Sequence, residues 1–147
     1  MKGFVLTREG VVEPSWIDAN GHMNVMWYTQ VFDSGCDVLL RRVGIDPETI
    51  KAGKPTVVAA RIQIAHRKEL LAGERWELWS GFTRAEPAGV SFTHRLVSGG
   101  VTRATCDIQS HAFCPKERST AKLADGIVEA ARQLLVPGLA DPFARGA

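Results

Sequence analysis

Apolar residues recur at two different spacings along this 147-residue chain. From Val25 to about Val43 they fall every three or four positions, which predicts one long amphipathic helix. Elsewhere the period is two, over residues 3–12, 56–68, 74–84, 89–97 and 101–114, which predicts five strands. Pro87-Ala88-Gly89 and Ser98-Gly99-Gly100 are suited to hairpin turns between the later strands.

The order of these elements favours an α+β fold. One strand, a long helix and then four strands lack the regular strand–helix alternation of a doubly wound parallel sheet. We expect an antiparallel five-stranded sheet wrapped around the long helix. Gly35 on the apolar stripe costs about 1 kcal/mol of helix propensity relative to Ala, so we expect a close approach of the sheet there. Residues 47–53 can add one helical turn, and Ser119 or Thr120 can cap a last helix.

The chain is long enough for one domain, which we place at residues 1–136. From Pro137 to Ala147 the residues Pro, Gly and Ala dominate, so a loosely ordered tail is expected. In the third strand Trp76, Leu78 and Phe82 share one face, and Trp79 lies on the other. Because the helix covers only one face, Trp79 predicts a second subunit, in a homodimer or homotetramer.

Charge and cysteine content narrow the partners and the compartment. The net charge is +2, and the 18 Lys and Arg residues form no basic block, which argues against nucleic acid. No apolar run approaches the ~20 residues of a membrane-crossing helix, and the first residues meet charge too soon for a signal peptide. Cys36, Cys106 and Cys114 form no CxxC pair, and the last two would lie about 26 Å apart on one strand. We therefore expect reduced thiols, a cytoplasmic location and no membrane partner.

Polar side chains concentrate just before the long helix. Asp18, Asn20, His22 and Asn24 occupy alternate positions. They place a carboxylate, an imidazole and two amides where a helix N-terminus offers unpaired N–H groups, which is the layout of an acyl-transfer site. A turn and a helix cap are the alternative interpretation, because Asn20-Gly21 is a common turn dipeptide and Asn24 is a good N-cap. The four histidines have no metal-ligand spacing, so no metal is expected.

The spacing Asp18-x-Asn20-x-His22-x-Asn24, with Tyr28 four residues on, resembles the motif of hotdog-fold thioesterases. The likeness is greatest to the acyl-ACP and 4-hydroxybenzoyl-CoA thioesterase group, and the order of elements is similar over nearly the whole chain. The resemblance implies a hotdog fold and hydrolysis of an acyl thioester, either acyl-CoA or acyl-ACP. Because thiolate is a good leaving group, no metal or other cofactor is required.

The resemblance also implies roles for individual residues. In the acyl-ACP branch Asp-x-Asn-x-His carries the site, which nominates Asp18, Asn20 and His22 as catalytic. That branch has a second carboxylate in an Arg-Arg-Glu-Cys segment, matched here by Arg67-Lys68-Glu69-Leu70 without the cysteine. Asp18 or Glu69 would then act as nucleophile or base, and His22 would move the proton.

Substrate contacts follow from the same comparison. N–H groups at the start of the 25–43 helix would accept the thioester carbonyl oxygen. The side chains expected to bind substrate are Asn24, Trp27, Tyr28 and Arg67. Basic residues near strand ends that could meet the CoA phosphates are Arg61, Arg67, Lys68 and Arg84.

Three narrower interpretations stay open. The segment from Trp16 to Asn24 is also similar to betainyl-CoA thioesterases of carnitine breakdown, but Val25 stands where those carry an acidic residue, which argues against a quaternary-ammonium substrate. A hotdog hydratase or dehydratase needs Asp and His one residue further apart, with a Pro between them. A hotdog acyl-CoA sensor would bind the thioester without turnover.

Overall fold

A computed structural model describes residues 1–144, and its elements follow the predicted order. Strand β1 (Val5–Val11) leads through a short 3-10 turn to helix α1 (Val25–Arg41) and the short helix α2 (Pro47–Lys51). The remaining elements are β2 (Thr56–His66), β3 (Arg75–Glu86), β4 (Gly89–Ser98), β5 (Val101–Cys114), β6 (Ser119–Thr120) and α3 (Asp125–Gln133). None of the helices in residues 1–144 is both long enough and apolar enough to cross a bilayer.

The strands form one antiparallel sheet in the order β1-β3-β4-β5-β2, with β6 added beside β5. One face of the sheet packs against α1, and β3 presents Trp76, Leu78 and Phe82 to this side, each at most 7% exposed. Trp79 is half-buried on the opposite, outer face of the sheet. The predicted antiparallel sheet around one long helix is therefore confirmed.

Helix α1 approaches the sheet closely at Gly35, as its sequence position predicted. A Cβ atom at Gly35 would overlap a methyl group of Leu78 and lie 3.1 Å from Thr7 Oγ1. Gly35 is itself buried, so any larger side chain would have to push the helix away from β1 and β3. The missing side chain thus sets the distance between helix and sheet.

A chain of buried polar groups runs beneath this contact. Thr7 donates to Leu78 O (3.1 Å), Ser80 Oγ lies 2.8 Å from Thr7 Oγ1, and Ser80 Oγ lies 2.6 Å from His94 Nδ1. His94 Nε2 lies 3.4 Å from Cys36 Sγ. Because the Thr7 hydroxyl hydrogen is used on Leu78 O, Ser80 donates to Thr7 and accepts from His94 Nδ1–H. His94 is fully buried, and burial, followed by the nearby charge of Arg95, lowers its pKa to about 3.

The start of the last helix differs from prediction. Ser119 and Thr120 do not cap it but pair with Cys114 and Phe113 as strand β6. Helix α3 begins at Asp125, five positions after Thr120, and its N-cap Ala124 makes no side-chain hydrogen bond. The two residues predicted as helix caps are thus used in strand pairing with β5, and α3 starts without a side-chain cap.

The segment after α3 contacts the sheet. Val136 N–H donates to Phe82 O (2.9 Å), so the chain continues along β3 beyond the end of β1. Further on, Asp141 pairs with Arg84 (3.4 Å) and accepts from Ser91 on the outer face of the sheet. Phe143 is 7% exposed. These contacts reach Phe143, and the last part of the predicted loose tail, residues 145–147, lies outside the described residues.

Candidate functional site

The polar motif forms a small closed loop, residues 17–24, which we call the motif loop. Ile17 and Met23 form an isolated antiparallel bridge, and Asp18 N–H donates to His22 O (3.1 Å). Gly21 N–H donates back to Asp18 O (3.0 Å) with a Gly21 φ of 81°, in the left-handed region that favours glycine. The Asn20-Gly21 dipeptide therefore turns the chain so that Asp18 and His22 lie opposite each other.

The Asp18 carboxylate is oriented by two hydrogen bonds. Its Oδ1 accepts from the backbone N–H of Asn20 (2.8 Å), and its Oδ2 accepts from Asn24 Nδ2 (3.1 Å). Asn24 is also the N-cap of α1, as its Oδ1 accepts from Met26 N–H (3.0 Å). The Asn24 side chain therefore links the Asp18 carboxylate to the N-terminus of α1. The first helical residue, Val25, follows Asn24 directly.

Only part of the donor capacity of the helix N-terminus is used. Asn24 accepts from Met26 N–H through its side chain and from Trp27 N–H through its carbonyl (3.0 Å). The Val25 N–H has no hydrogen-bond partner among residues 1–144, and Val25 is 59% exposed. This N–H, at the positive end of the helix dipole, is the available donor for an incoming carbonyl oxygen.

A cavity of about 330 Å³ opens at this end of α1. Its walls come from the motif loop, the first turn of α1, the end of β2 and the loop that follows β2. The lining residues are His22, Met23, Val25, Tyr28, His66, Arg67, Lys68 and Glu69. The cavity is therefore lined by an imidazole, a carboxylate, two cationic side chains and Val25, the residue whose N–H is unpaired within residues 1–144.

The segment between β2 and β3, which we call the 67–74 loop, is bonded directly to the motif loop and to α1. Met23 N–H donates to Leu70 O (2.8 Å), and Leu70 N–H donates to Tyr28 Oη (3.2 Å). Tyr28 is 4% exposed, and burial raises the pKa of its phenol. The His66 ring stands edge-on to the Tyr28 ring at 4.7 Å. Tyr28 therefore stays neutral and fixes one wall of the cavity.

The structure brings together some of the predicted site residues and separates others. His22, Tyr28, Arg67 and Glu69 line the cavity, whereas Asp18, Asn20 and Asn24 form the hydrogen-bonded loop beside it. Trp27 is not among the lining residues. It stacks on Trp16 at 4.9 Å, and Trp16 in turn packs against Trp76.

Two of the basic residues considered for CoA phosphates face elsewhere. Arg61 donates to Gln109 (2.8 Å) and lies over the Phe143 ring, and Arg84 pairs with Glu86 and Asp141. Both are engaged on the outer face of the sheet, where each contacts a residue of the C-terminal segment. Arg67 and Lys68 line the cavity, and their side chains make no hydrogen bond or ion pair with another residue in the described range 1–144.

Sequence reasoning missed His66 and the importance of Val25. His66 lies on the helix-facing side of β2, and the alternation of that strand places it on the same face as Ile62 and Ile64. This alternation was a usable signal for His66. No such signal marks the Val25 N–H as unpaired. It is unpaired because the two oxygen atoms of Asn24 accept from the N–H groups of Met26 and Trp27 instead.

A second cavity, of about 310 Å³, lies farther along α1. It sits between the C-terminal half of the helix and the strands β2, β4 and β5, and its apolar lining includes Leu40, Ile62, Phe92 and Ile108. Cys36 also lines it, and burial raises the pKa of the Cys36 thiol. Within the described part of the chain, no three His, Cys, Asp or Glu side chains gather into a group that could hold a metal ion.

Two curated relatives are similar in sequence. The chain is 23% identical over 146 residues to a betainyl-CoA thioesterase of Pseudomonas aeruginosa, an alignment that covers 93% of this chain and 92% of the relative. It is 36% identical over 67 residues to an L-carnitine dehydrogenase/betainyl-CoA thioesterase of Agrobacterium fabrum, covering 46% of this chain and 14% of that longer protein.

Solved structures share the fold at low sequence identity. A Staphylococcus aureus protein in complex with CoA superposes with a TM-score of 0.82 and 14% identity, covering 91% of this chain and 85% of that one. A gentisyl-coenzyme A thioesterase superposes with a TM-score of 0.73 and 13% identity, covering 84% of this chain and 97% of that one. These likenesses confirm the expected hotdog-type α+β fold. The family model described as the thioesterase-like superfamily matches residues 12–131, and the chain therefore belongs to that superfamily.

Proposed function

We propose that this protein is an enzyme that hydrolyses acyl-CoA thioesters to a carboxylic acid and CoA. The observation that carries the proposal is the cavity of about 330 Å³ at the N-terminus of α1. Its lining includes His22, Glu69 and Val25, whose N–H is unpaired within residues 1–144, and Asp18 lies in the adjoining motif loop, all of which supports this assignment. The thioesterase-like family match and the CoA-bound structural neighbour support the same activity.

The proposed reaction needs only groups of this chain and water. The thioester carbonyl oxygen accepts a hydrogen bond from Val25 N–H, where a preorganised donor is typically worth about 3–4 kcal/mol in the transition state. Asp18 acts as the base, and a proton leaves water as its oxygen bonds to the carbonyl carbon. Collapse of the intermediate breaks the C–S bond, and the proton that Asp18 took from water moves through His22 to the departing CoA thiolate.

The remaining motif residues have supporting roles in this proposal. Asn20 and Asn24 hold the Asp18 carboxylate in one orientation through their hydrogen bonds of 2.8 and 3.1 Å. Glu69 is the second carboxylate and faces the same cavity as His22. The alternative assignment makes Glu69 the base and leaves Asp18 as a turn residue, since the same two bonds would also stabilise an Asx turn.

Charge at the cavity favours an anionic ligand over a cationic acyl group. Arg67 and Lys68 contribute two positive charges to the lining and Glu69 one negative charge. This balance suits the phosphates of CoA. Val25 at the mouth carries no charge, so nothing at that position would attract a quaternary ammonium. We therefore propose a neutral or anionic acyl group rather than the betainyl group named for the two curated relatives.

The second cavity supplies room for the acyl group. From Tyr28 to Cys36 the helix rises about 12 Å, and from His66 back to Ile62 strand β2 runs about 13 Å. Because both cavities are lined by residues of α1 and β2, we propose that they form the two ends of one groove between these elements. We propose that the acyl chain enters this groove from the carbonyl position and points toward Leu40 and Ile62.

We further propose that the protein works as a homodimer or homotetramer in the cytoplasm. The support for a second copy is β2, an 11-residue strand at one end of the sheet, with Val58 43% and Ile62 56% exposed on its two faces. Such an edge pairs readily with another strand. The reducing compartment is supported by the thiols of Cys36, Cys106 and Cys114, all of which are free.

Thiol release from a panel of acyl thioesters, followed with DTNB, tests the activity. The panel contains short, long, aromatic and betainyl acyl-CoAs and one acyl-ACP, and no metal is added. Hydrolysis of at least one acyl-CoA, and of betainyl-CoA less well than of a neutral acyl-CoA, is the expected result. CoA binding without turnover of any member would contradict the enzyme and favour the sensor.

A further inference from the structure

A buried arginine, Arg103, lies behind the wall of the candidate site. Arg103 is 7% exposed. Leu96 pairs with Ala104 and Val97 pairs with Thr102, so Arg103 is the extra, bulged residue of β5 between these two pairs. A bulge of this kind redirects one side chain without disturbing the rest of the ladder. Because a buried cation is costly unless its donors are bonded and its charge is paired, each contact of this guanidinium is informative.

The contacts of Arg103 all lie on the 67–74 loop or beside it. Its guanidinium donates to Glu69 O (2.7 Å) from Nη1, to Ser98 O (3.3 Å) from Nε, and to both carboxylate oxygens of Glu74 (3.1 and 3.0 Å). Its own carbonyl accepts from the N–H groups of Arg67 (2.8 Å) and Lys68 (3.1 Å). One residue therefore holds the loop at its start, its middle and its end.

The peptide unit between Glu69 and Leu70 is fixed on both of its polar atoms. Its oxygen, Glu69 O, accepts from Arg103 (2.7 Å), and its N–H, on Leu70, donates to Tyr28 Oη (3.2 Å). The next carbonyl along the chain, Leu70 O, accepts from Met23 N–H of the motif loop (2.8 Å). Arg103 is thus bonded directly to the backbone of Glu69, and it is linked through Leu70 to Met23, the residue that follows His22 in the motif loop.

We propose that Arg103 is a positioning residue of the candidate site, holding the 67–74 loop so that Glu69 and the motif loop stand on opposite sides of the cavity. The kinetic part of this proposal rests on the proposed thioesterase function. The ion pair persists under mildly acidic conditions, because the hydrogen bonds from Arg103 and from Leu71 N–H lower the pKa of Glu74. Lysine cannot replace the fork geometry that reaches Glu69, Glu74 and Ser98 together.

Arg103→Lys tests the proposal, with Arg84→Lys as the matched control. Arg84 is also paired with carboxylates, but on the outer face of the sheet and away from the cavity. We expect Arg103→Lys to lower kcat by about 10- to 100-fold with KM changed much less, since displacement of a reacting group by about 1 Å costs on that order. Arg84→Lys should keep wild-type kinetics. Glu74→Gln keeps the shape of the partner and should show a smaller loss in the same direction.

A double variant with Arg103→Lys and Glu69→Gln distinguishes a loss of positioning from a general disruption of the fold. If Arg103 acts through Glu69, the loss of kcat in Arg103→Lys cannot exceed the loss in Glu69→Gln. Adding Arg103→Lys to Glu69→Gln should then lower kcat little further. Retention of the full Arg103→Lys loss in the double variant would overturn transmission through Glu69.

Amide exchange gives a readout that does not require the enzyme to hydrolyse thioesters. The N–H groups of Leu70 and Met23 should exchange at least tenfold faster in Arg103→Lys than in Arg84→Lys, while core amides keep their wild-type rates. Unchanged exchange at both positions would overturn the proposal even if thioesters are hydrolysed. Faster exchange in a protein that hydrolyses no thioester would keep the structural link and reject the proposed function instead.

Discussion

The two carboxylates beside the cavity differ in how firmly their surroundings hold them. Asp18 accepts hydrogen bonds on both oxygens, whereas the Glu69 side chain has no hydrogen bond or ion pair within residues 1–144. Only the backbone carbonyl of Glu69 is anchored. A base held in one orientation is preorganised for proton transfer, so we favour Asp18 for that role.

Asp18→Asn should lower kcat by about 10²–10⁴-fold, the usual range for a lost proton-transfer group, with KM little changed. His22→Ala should cost no more than this, and Glu69→Gln should fall between that loss and no effect. Steady-state kinetics with one acyl-CoA compares all three variants. Since asparagine cannot accept from both Asn20 N–H and Asn24 Nδ2, Asp18→Asn should also lose about 0.5–1.5 kcal/mol of stability, which a melting curve measures. Near wild-type activity in Asp18→Asn, together with an inactive Glu69→Gln, would reverse the assignment.

The low pKa of buried His94 predicts how the free energy of unfolding depends on pH. Its pKa of about 3 in the folded chain lies below the ordinary value of 6.5. Between pH 3 and pH 6.5, His94 therefore binds a proton in the unfolded chain but not in the folded chain. Stability from this residue is therefore complete above about pH 6.5 and is lost as pH falls toward 3. The free energy of unfolding should fall by up to ~1.4 kcal/mol per pH unit more steeply in the wild type than in His94→Gln. Urea unfolding between pH 7 and pH 4 measures both slopes, and equal slopes would refute this account.

At the residue scale, the sequence predicted local relations and missed distant ones. Asp18, Asn20, His22 and Asn24 lie within one turn of chain, so their spacing alone indicated a shared loop. Arg103 is separated from Glu69 by 34 positions and meets it because of a bulge in β5. No periodicity records which residue of a strand becomes the bulge, and this contact therefore had no signature in the sequence.

Two helices show how tertiary packing can oppose or permit local propensity. The stripe of α1 predicted its position and the close contact at Gly35, because spacing of 3.6 residues fixes which face is buried. The start of α3 was predicted wrongly, since Ser119 and Thr120 are good caps but their backbone is used in pairing with β5. Local preference thus decided the start of α1 at Asn24, and sheet pairing decided the start of α3.

Alanine at two helical glycines should change stability in opposite directions. Gly35→Ala gains about 1 kcal/mol of helix propensity but forces a methyl group into Leu78 and Thr7, and overpacking of this kind costs about 1–3 kcal/mol. At Gly126 in α3 an added Cβ atom would meet nothing within 4 Å, so Gly126→Ala should stabilise by about 0.4–1 kcal/mol. Denaturant midpoints of the two variants test this contrast. A Gly35→Ala protein more stable than the wild type would show that α1 can move from the sheet at little cost.

At the scale of the whole molecule, the two edge strands of the sheet differ in length, with 7 residues in β1 and 11 in β2. The β1 side of β3 is extended by the C-terminal segment, in which Val136 N–H bonds to Phe82 O and Asp141 binds Arg84. The opposite end is β2, with 11 residues and no strand beyond it among residues 1–144. Trp79 was the reason to expect a second subunit from the sequence, but the open edge at β2 is the stronger physical argument, because unpaired backbone groups favour strand addition.

Ile62→Glu should therefore weaken self-association of the chain. Ile62 is 56% exposed on β2, so a second copy pairing along this strand would bring two introduced carboxylates near each other and desolvate them. Light scattering at micromolar concentration should give at least twice the 16.0 kDa chain mass for the wild type and a lower mass for the variant. Val101→Glu is the control, since Val101 is 45% exposed at the β4–β5 hairpin and should leave the mass unchanged. A monomeric wild type would remove the second copy altogether, whereas an intact oligomer in Ile62→Glu would move the interface to another face, with Trp79 on the outer face of the sheet as the next position to substitute.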